Sequence, residues 1–299
     1  MTTMQANKRI GLKNILFLTD FSDSSTPAIP FATSIARAYG SVVHVLHVLQ
    51  PSAYTYLTPG VAATLLDDQE ELAKAEMQRV EAELMGLPCE TSIERGGSVW
   101  PVLSHVLEEH EVDLIVLGTH GRTGAQKLLL GSSAEEVFRR ARVPVLTIGP
   151  GVKSGAHSGG KFRCVLFATD FNAVSSVAAP YAISLAQENQ SKLILLHVLP
   201  MPKPGKAAKP RELSVAEAMH RLENLVPQDA ELWCRLEPTV EHGEPGREIL
   251  ATANRRGADL IVLGVRGMDT LTSVATRMER AIAYDVVAHA PCPVLTVRA

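Results

Sequence analysis

The chain has 299 residues, of which 46% are hydrophobic and 20% charged, which is enough apolar material to bury a core in each of two ordinary domains. The net charge of −3 and the absence of any run of five basic residues argue against nucleic-acid and membrane-surface partners. No apolar run approaches the roughly 18 residues that span a bilayer, and no apolar segment follows Lys8 and Arg9 as a signal peptide requires. The sequence therefore predicts a cytoplasmic protein.

Short apolar runs alternate with segments of helical periodicity along the first half of the chain. In chain order the predicted elements are a strand at 15–19, a helix at 25–39, a strand at 41–48, a helix at 65–85, a strand at 90–94, a helix at 98–109, a strand at 114–118, a helix at 132–140 and a strand at 145–148. Strands that are apolar on both faces and separated by helices predict a parallel sheet that is covered on both sides. The predicted fold class is α/β, with five parallel strands in a doubly wound domain.

The second half of the chain repeats the first at a distance of about 150 residues. Residues 14–21 read NILFLTDF and residues 164–171 read CVLFATDF. Further equivalent pairs are Val48 and Val198, Gly118 and Gly264, and Pro144 and Pro293. Residues 150–160 are rich in glycine and serine and predict a linker. Two tandem domains are expected, at 10–149 and 161–299, and the long period excludes a solenoid.

Four cysteines are scattered through both halves without a C-x-x-C pair. They are Cys89, Cys164, Cys234 and Cys292, and three of them lie in or beside strand-like apolar stretches. We expect buried small hydrophobes, and neither a disulfide framework nor a thiolate metal cluster.

A glycine-rich segment follows the fourth predicted strand. Gly118 and Gly121 are followed, after nine residues, by Gly131 and Ser132 at the start of a predicted helix. Glycines permit close backbone approach, and a helix N-terminus presents unpaired N–H groups to an anion. In a doubly wound sheet, ligands lie beyond the carboxyl ends of the strands, where Asp20 and Val48 are also expected if the first and fourth strands are neighbours.

Together, the Thr-Asp-Phe-Ser sequence that contains Asp20, the Leu-His-Val sequence that ends at Val48 and the G-x2-G-x9-G-S spacing resemble the universal stress protein family. The similarity covers both halves, and the first half resembles the ATP-binding branch. The resemblance implies ATP, with Asp20 and the backbone of Val48 at the adenine and ribose and with Ser132 and Ser133 at the phosphates. The candidate nucleotide-binding residues are Asp20, Val48, Gly118, His120, Gly121, Arg122, Gly131, Ser132 and Ser133.

Several of these residues also have an explanation without a ligand. Ser132 with Glu135 three residues later matches a capping box. Asp20 is equally suited to a ligand contact and to capping the following helix, and single glycines after strands are common turn residues. It is the joint spacing that favours a nucleotide.

The second half departs from this pattern in the distal part of the loop. It keeps Asp170, Val198, Gly264 and Gly267, but Arg277 and Met278 stand where Gly-Ser is expected. The interval from Gly264 to Pro293 is 29 residues, against 26 from Gly118 to Pro144, which we interpret as a three-residue insertion in the loop. The sequence predicts that this half binds ATP weakly or not at all and serves packing, dimerisation or other recognition.

The resemblance also implies an assembly and leaves alternative functions open. In the family the final strand commonly mediates dimer contact, which implies an intramolecular pseudo-dimer or a homodimer. No P-loop or pyrophosphatase loop occurs, so no catalytic residue is predicted and the protein is not expected to be an enzyme, although slow ATP turnover stays open. The other alternative is an interaction module with vestigial nucleotide loops and an unknown protein partner.

A metal-binding role is the third alternative, because the chain has ten histidines. His44 and His47 are three apart on one strand and point to opposite faces, which excludes them as a chelating pair. His47 and His197 are repeat equivalents on core strands and are interpreted as satisfied core histidines. No protein metal site is predicted, and any Mg²⁺ would arrive with the nucleotide phosphates.

Overall fold

The computed structural model describes residues 10–50, 59–119, 130–152, 161–201, 213–227, 233–266 and 274–298. Residues 59–66 and 274–280, at the starts of two helices, are described by their backbone alone. The chain divides into two compact units, which consist mainly of residues 11–150 and 161–299 and are called here the first and second halves.

The first half is a five-stranded parallel sheet with helices in the connections. Its elements are β1 (Asn14–Leu18), α1 (Ile29–Tyr39), β2 (Val42–Leu49), α2 (Pro59–Glu83), β3 (Cys89–Arg95), α3 (Val99–Glu109), β4 (Leu114–Gly118), α4 (Ser132–Arg140) and β5 (Val145–Ile148). The strand order is β3-β2-β1-β4-β5, and every described pairing is parallel. Because Ile15 pairs with Leu114, β1 and β4 are neighbours and the direction of winding reverses between them.

The second half repeats this arrangement. Its elements are β6 (Cys164–Ala168), α5 (Ala173–Asn189), β7 (Lys192–Leu199), α6 (Val215–Glu223), β8 (Arg235–His242), α7 (Pro245–Arg256), β9 (Leu260–Val265), α8 (Val274–His289) and β10 (Val294–Arg298). The order β8-β7-β6-β9-β10 is again parallel throughout the described pairings. The predicted fold class, two tandem doubly wound α/β domains, is confirmed.

The central strands form the core of each half. Ile15, Leu16 and Phe17 of β1 are fully buried, as are the equivalent residues of β6. Burial of both alternating sets of side chains is what helices on both faces of a sheet impose, and it explains the continuous apolar runs of the sequence. Among the described helices, none combines the length and the apolar character needed to cross a membrane.

Most helix limits fall close to the predicted ones. α4 and β5 have the predicted bounds, whereas α2 begins at Pro59, six residues before the predicted start. Proline is favoured in the first turn of a helix, which is the signal that was missed. The segment before α1 is a 3-10 turn over Thr26–Ala28, and α1 ends at Gly40, whose φ of 68° is the left-handed conformation that closes a helix.

An aspartate at the start of each fourth strand ties it to the first strand. Asp113 Oδ2 accepts hydrogen bonds from the backbone N–H groups of Lys13, at 2.6 Å, and Asn14, at 3.0 Å. Asp259 accepts from the equivalent pair of amides in the second half, at 2.8 and 3.0 Å. These two carboxylates satisfy backbone donors at the amino edge of the sheet, which fixes the β1–β4 and β6–β9 junctions that position the loops at the other end.

Candidate functional site

A cavity of about 370 Å³ lies at the carboxyl ends of β1, β2 and β4 in the first half. It is at the position that the strand order predicts for a ligand in an α/β sheet. Six of the candidate residues line it, namely Asp20, Val48, Gly118, Gly131, Ser132 and Ser133. The other three candidates, His120, Gly121 and Arg122, lie outside the described residues.

Asp20 lies at the rim of the cavity, directly after β1. Its Oδ1 accepts hydrogen bonds from the backbone N–H of Ser22, at 3.1 Å, and from the Ser22 hydroxyl, at 2.6 Å. This is an Asx turn, in which the carboxylate orders its own loop. The structure shows no side-chain cap at the start of α1 or of the 3-10 turn, so the helix-cap interpretation of Asp20 is wrong.

Val48 offers backbone groups to the cavity because β1 ends before β2 does. The register of the two strands stops at Leu18 and Leu46, and the N–H of Thr19 donates the last bond, at 3.0 Å, to the carbonyl of Leu46. In a parallel strand the N–H and C=O of every second residue point to the same side, so those of Val48 extend past the end of β1. A donor and an acceptor on one residue suit the edge of a heterocyclic base.

The start of α4 faces the same cavity. Gly131 is the N-cap, with φ −59° and ψ 152°, and Ser132 is the first helical residue, so the N-cap position carries no side chain and no side chain caps the helix. Gly131 is held in place by its N–H, which donates to the carbonyl of Thr119 at 2.7 Å. The capping-box interpretation of Ser132 and Glu135 is therefore wrong. Within the part of the chain that the structure describes, no side chain caps this first turn and Ser132 is exposed, so its amides and hydroxyl suit an external acceptor.

Gly118 has a structural reason to be glycine. A Cβ at this position would overlap the carbonyl oxygen of Ser24 and lie 3.1 Å from the Cα of Ser25. At Gly264, a Cβ would lie 2.8 Å from the carbonyl oxygen of Val174 and 2.9 Å from the Cα of Ser175. Both glycines let the segment that follows the first strand of each half, a loop at Ser24 and the first turn of α5 at Val174, pack against the fourth strand, whether or not a ligand is bound.

His47 lines the cavity and was interpreted from the sequence only as a core residue. Its Nδ1 lies 2.8 Å from the carbonyl oxygen of Thr19, so Nδ1 carries the proton and donates. Its ring packs on that of Phe21 with the centroids 4.4 Å apart, and Phe21 has a φ of 59°, which is uncommon for a bulky residue. This contact fixes the backbone on either side of Asp20.

Two polar residues of α2, Gln69 and Glu76, also line the cavity and were not predicted. They are seven residues apart, with Leu72 and Ala73 between them, and so lie on one helical face. The seven-residue spacing of Gln69 and Glu76 is the sequence pattern that could have placed them on one face of the helix. The sequence predicted a helix in this part of the chain but not its position relative to the strand ends.

Comparison with known proteins shows which protein family the chain belongs to. The sequence profile described as "Universal stress protein family" matches residues 11–149 and again residues 161–298. The chain belongs to this family. It is 24% identical over 299 residues to a universal stress protein of Mycolicibacterium smegmatis, and the match covers 95% of this chain and 96% of that protein.

Single-domain universal stress proteins match half of the chain. One from Methanocaldococcus jannaschii is 31% identical over 140 residues, which is 46% of this chain and 81% of the relative. The crystal structure of a universal stress protein from Archaeoglobus fulgidus superposes with a TM-score of 0.72 at 21% identity, covering 97% of this chain and 99% of that one. At this identity, the superposition shows a shared fold.

The second half of this universal stress protein shares the scaffold of the site. Phe171, with a φ of 61°, packs on His197 at 4.4 Å, and His197 Nδ1 lies 2.7 Å from the carbonyl oxygen of Thr169. Burial lowers the pKa of His197, and the nearby Arg221 guanidinium acts in the same direction, whereas the Thr169 carbonyl and Asp170 oppose the shift. The Phe–His contact is thus a property of the fold and carries no nucleotide signal by itself.

The aspartate of the second half is engaged through both carboxylate oxygens. Asp170 Oδ1 accepts from the N–H of Asn172, at 3.1 Å, and from the Ser175 hydroxyl, at 2.7 Å. Its Oδ2 accepts from the Asn172 side-chain amide at 2.7 Å, and the Asn172 Oδ1 in turn caps α5. Both carboxylate oxygens are therefore tied to the start of the helix that follows.

The extra residues predicted in the second half lie in the helix that follows Gly264, and the segment before that helix is shorter. Thirteen residues separate Gly118 from the start of α4, but only nine separate Gly264 from the start of α8. α4 has 9 residues and α8 has 16, so the extra length lies in the helix and the preceding segment is shorter. Arg277 and Met278, which by counting replace Gly131 and Ser132, lie inside α8 and not at its N-cap.

The four cysteines are all free, and three are buried. Burial raises the pKa of the Cys234 thiol to about 11 and also raises those of the other three thiols. A thiol that stays protonated at neutral pH is a poor nucleophile, and the predicted role as small buried hydrophobes fits these surroundings.

Proposed function

We propose that the first half of this universal stress protein binds ATP and that the chain acts as a nucleotide-dependent regulatory or stress-response protein. The observation that carries the proposal is the convergence, around one cavity, of the Asp20 loop, the part of β2 at Val48 that extends beyond the register with β1, and the N-terminus of α4. A carboxylate, a backbone donor–acceptor pair and a helix N-terminus are the groups that a ribose, a base and a polyphosphate respectively require.

The roles follow from the chemistry of each group. Asp20 would accept from the ribose hydroxyls, and the N–H and C=O of Val48 would pair with the edge of adenine. Ser132 and Ser133, with the first amides of α4, would hold the phosphates, and the candidates His120 and Arg122 would add charge there. Any Mg²⁺ would be held by the phosphates themselves. A cavity of about 370 Å³ falls in the range of small-molecule sites.

The second half is proposed not to bind ATP with comparable affinity. Backbone N–H groups inside a helix are already paired with carbonyls four residues earlier, so the backbone around Arg277 and Met278 has few amide donors to offer a phosphate. The retained scaffold supports a packing or recognition role for this half.

Titration of the full chain with MgATP by isothermal calorimetry tests the proposal. We expect one ATP per chain, a loss of about tenfold or more in affinity for Asp20→Asn, and unchanged affinity for the repeat-equivalent control Asp170→Asn. Two ATP per chain, or equal effects of the two variants, would contradict the asymmetry.

Failure to bind ATP, with no nucleotide in an acid extract of the purified protein, would support an interaction module with vestigial loops. Steady-state hydrolysis above about one per second, abolished in Asp20→Asn, would instead make the protein an ATPase. A binding protein is expected to show neither result.

We also propose that the protein pairs through its final strands, either within one chain or as a homodimer. Matching final strands in the two halves support pairing within a chain or between two chains, as expected for the family. Sedimentation equilibrium with and without ATP distinguishes a monomeric chain from a homodimer. The cytoplasmic location likewise remains a prediction.

A further inference from the structure

Three potential metal ligands meet at the amino edge of the first sheet, away from the nucleotide cavity. His44 lies on β2, its register partner Glu90 lies on β3, and His110 is the residue that ends α3. Glu90 Oε2 is 3.1 Å from His44 Nδ1 and 3.7 Å from His110 Nδ1, and the two imidazole rings are 4.3 Å apart. One ligand atom from each of the three side chains lies within 4.8 Å of the others.

The buried member of the cluster has an unsatisfied nitrogen. The His44 side chain is only 8% exposed, and among the described residues its Nδ1 makes no hydrogen bond. Glu90 is near enough for an ionic contact, but at 3.1 Å it is not aligned for a hydrogen bond with that nitrogen. A buried polar atom without a partner is costly, which points to a further group at this position.

The other nitrogen of His44 sets the tautomer that a metal requires. Nε2 lies 3.4 Å from the side-chain oxygen of Asn14 and can donate its proton there. The lone pair is then on Nδ1, the ring nitrogen that lies 3.1 Å from Glu90 Oε2. Metal-bound histidines usually donate their second ring N–H to an oxygen in this way, which orients the ring.

We propose that His44, Glu90 and His110 bind a divalent transition-metal ion of the zinc class. Bonds of about 2.0–2.2 Å in tetrahedral geometry place donor atoms about 3.3–3.5 Å apart, close to the distances observed between Glu90 and the two histidines. Two imidazoles and a carboxylate suit zinc, leave a fourth position for water, and are a poor set for Mg²⁺ or Ca²⁺. The ion would join β2, β3 and the end of α3.

This site is separate from the nucleotide cavity. His44 and His47 are three residues apart on β2, and so point to opposite faces of the sheet, with only His47 in the cavity lining. The sequence predicted no metal site because it offered His47 as the partner of His44. The true neighbours come from the next strand and from a helix end, 46 and 66 residues further along the chain.

Zinc binding to the full chain, measured by competition with a chromogenic chelator after removal of metal with EDTA, tests the site. The test variants are Glu90→Gln, which alters an exposed side chain, and His110→Gln. The matched control is His105→Gln, which removes an exposed histidine of α3 that lies outside the cluster. We expect the wild type and the control to bind one more equivalent of zinc than either test variant, or to bind it about tenfold or more tightly.

Co²⁺ provides a second readout that a purely structural role would not change. The wild type and His105→Gln should show the visible absorption of a four-coordinate site, and His110→Gln should lose it, with circular dichroism confirming that each variant is folded. ATP affinity should be the same in Glu90→Gln and the wild type, so this test is independent of the nucleotide proposal. Equal zinc binding by the wild type and both test variants, or no binding at micromolar zinc, would overturn the assignment.

Discussion

Gly118, the last residue of β4, packs its backbone directly against the carbonyl of Ser24 in the loop after β1. The contact leaves no room for a side chain, and it recurs at Gly264 against Val174 in the second half. This glycine belongs to the nucleotide motif by sequence, but its first requirement is the packing of one loop on one strand end.

We therefore expect Gly118→Ala to destabilise the first half even without nucleotide. The added methyl group must displace the Ser24 backbone, which should lower the free energy of unfolding by about 1–3 kcal/mol. Urea denaturation followed by circular dichroism measures the change. The control is Gly97→Ala, where a Cβ meets nothing within 4 Å and the change should stay within about 0.5 kcal/mol. Equal stability of the two variants would contradict the packing explanation.

Ser132→Asp separates phosphate binding from helix stability. A carboxylate in the first turn of α4 should stabilise the helix by about 0.3–1 kcal/mol through its interaction with the helix dipole. The same charge should repel the ATP phosphates and weaken ATP binding by about tenfold or more, while adenosine binding stays unchanged. Calorimetry with both ligands and thermal unfolding measure these effects. Equal losses for ATP and adenosine would place Ser132 away from the phosphates.

Asp113→Ala should cost stability through the backbone of β1. Removing the carboxylate leaves the N–H groups of Lys13 and Asn14 without their acceptor, and a hydrogen bond to a charged group contributes about 1.5–3 kcal/mol. Urea denaturation should show a loss of that order. Asp23→Ala, at an exposed position in the loop after β1, is the control and should change stability little. A similar result for both would indicate that the two amides are satisfied without Asp113.

The second half should lose stability in mild acid because of His197. Burial lowers its folded-state pKa below the unfolded value of about 6.5, so the unfolded chain binds the proton more readily. The stabilising contribution is complete above pH 6.5 or so and decreases as the pH falls through that value towards the folded-state pKa. Urea denaturation between about pH 7.5 and about pH 5 should show a shallower decrease for His197→Gln than for the wild type. Parallel pH profiles would contradict the role of His197.

The sequence predicted what repeated patterns and local chemistry determine. The strand order around β1 and β4 follows from continuous apolar runs separated by helices, and the start of α4 at Ser132 follows from a glycine before a helical pattern. The N-cap role of Gly131 was missed, because Ser-x-x-Glu is equally consistent with a helix that starts one residue later. The sequence did not predict contacts that depend on tertiary packing. Examples are the position of Glu76 in the cavity lining and that of His110 beside His44.

The longer α8 is the feature on which the proposed loss of ATP binding in the second half rests, and it leaves the core strands unchanged. Extending a helix backwards converts backbone amides that could meet a ligand into amides that serve the helix, and the strands beneath keep their register. A glycine count along the sequence cannot detect this change, since packing against Val174 and Ser175 requires a glycine at position 264 in any case. In tandem chains of this kind, we expect the first residue of the helix after the fourth strand to predict nucleotide binding better than the glycine at the end of that strand does.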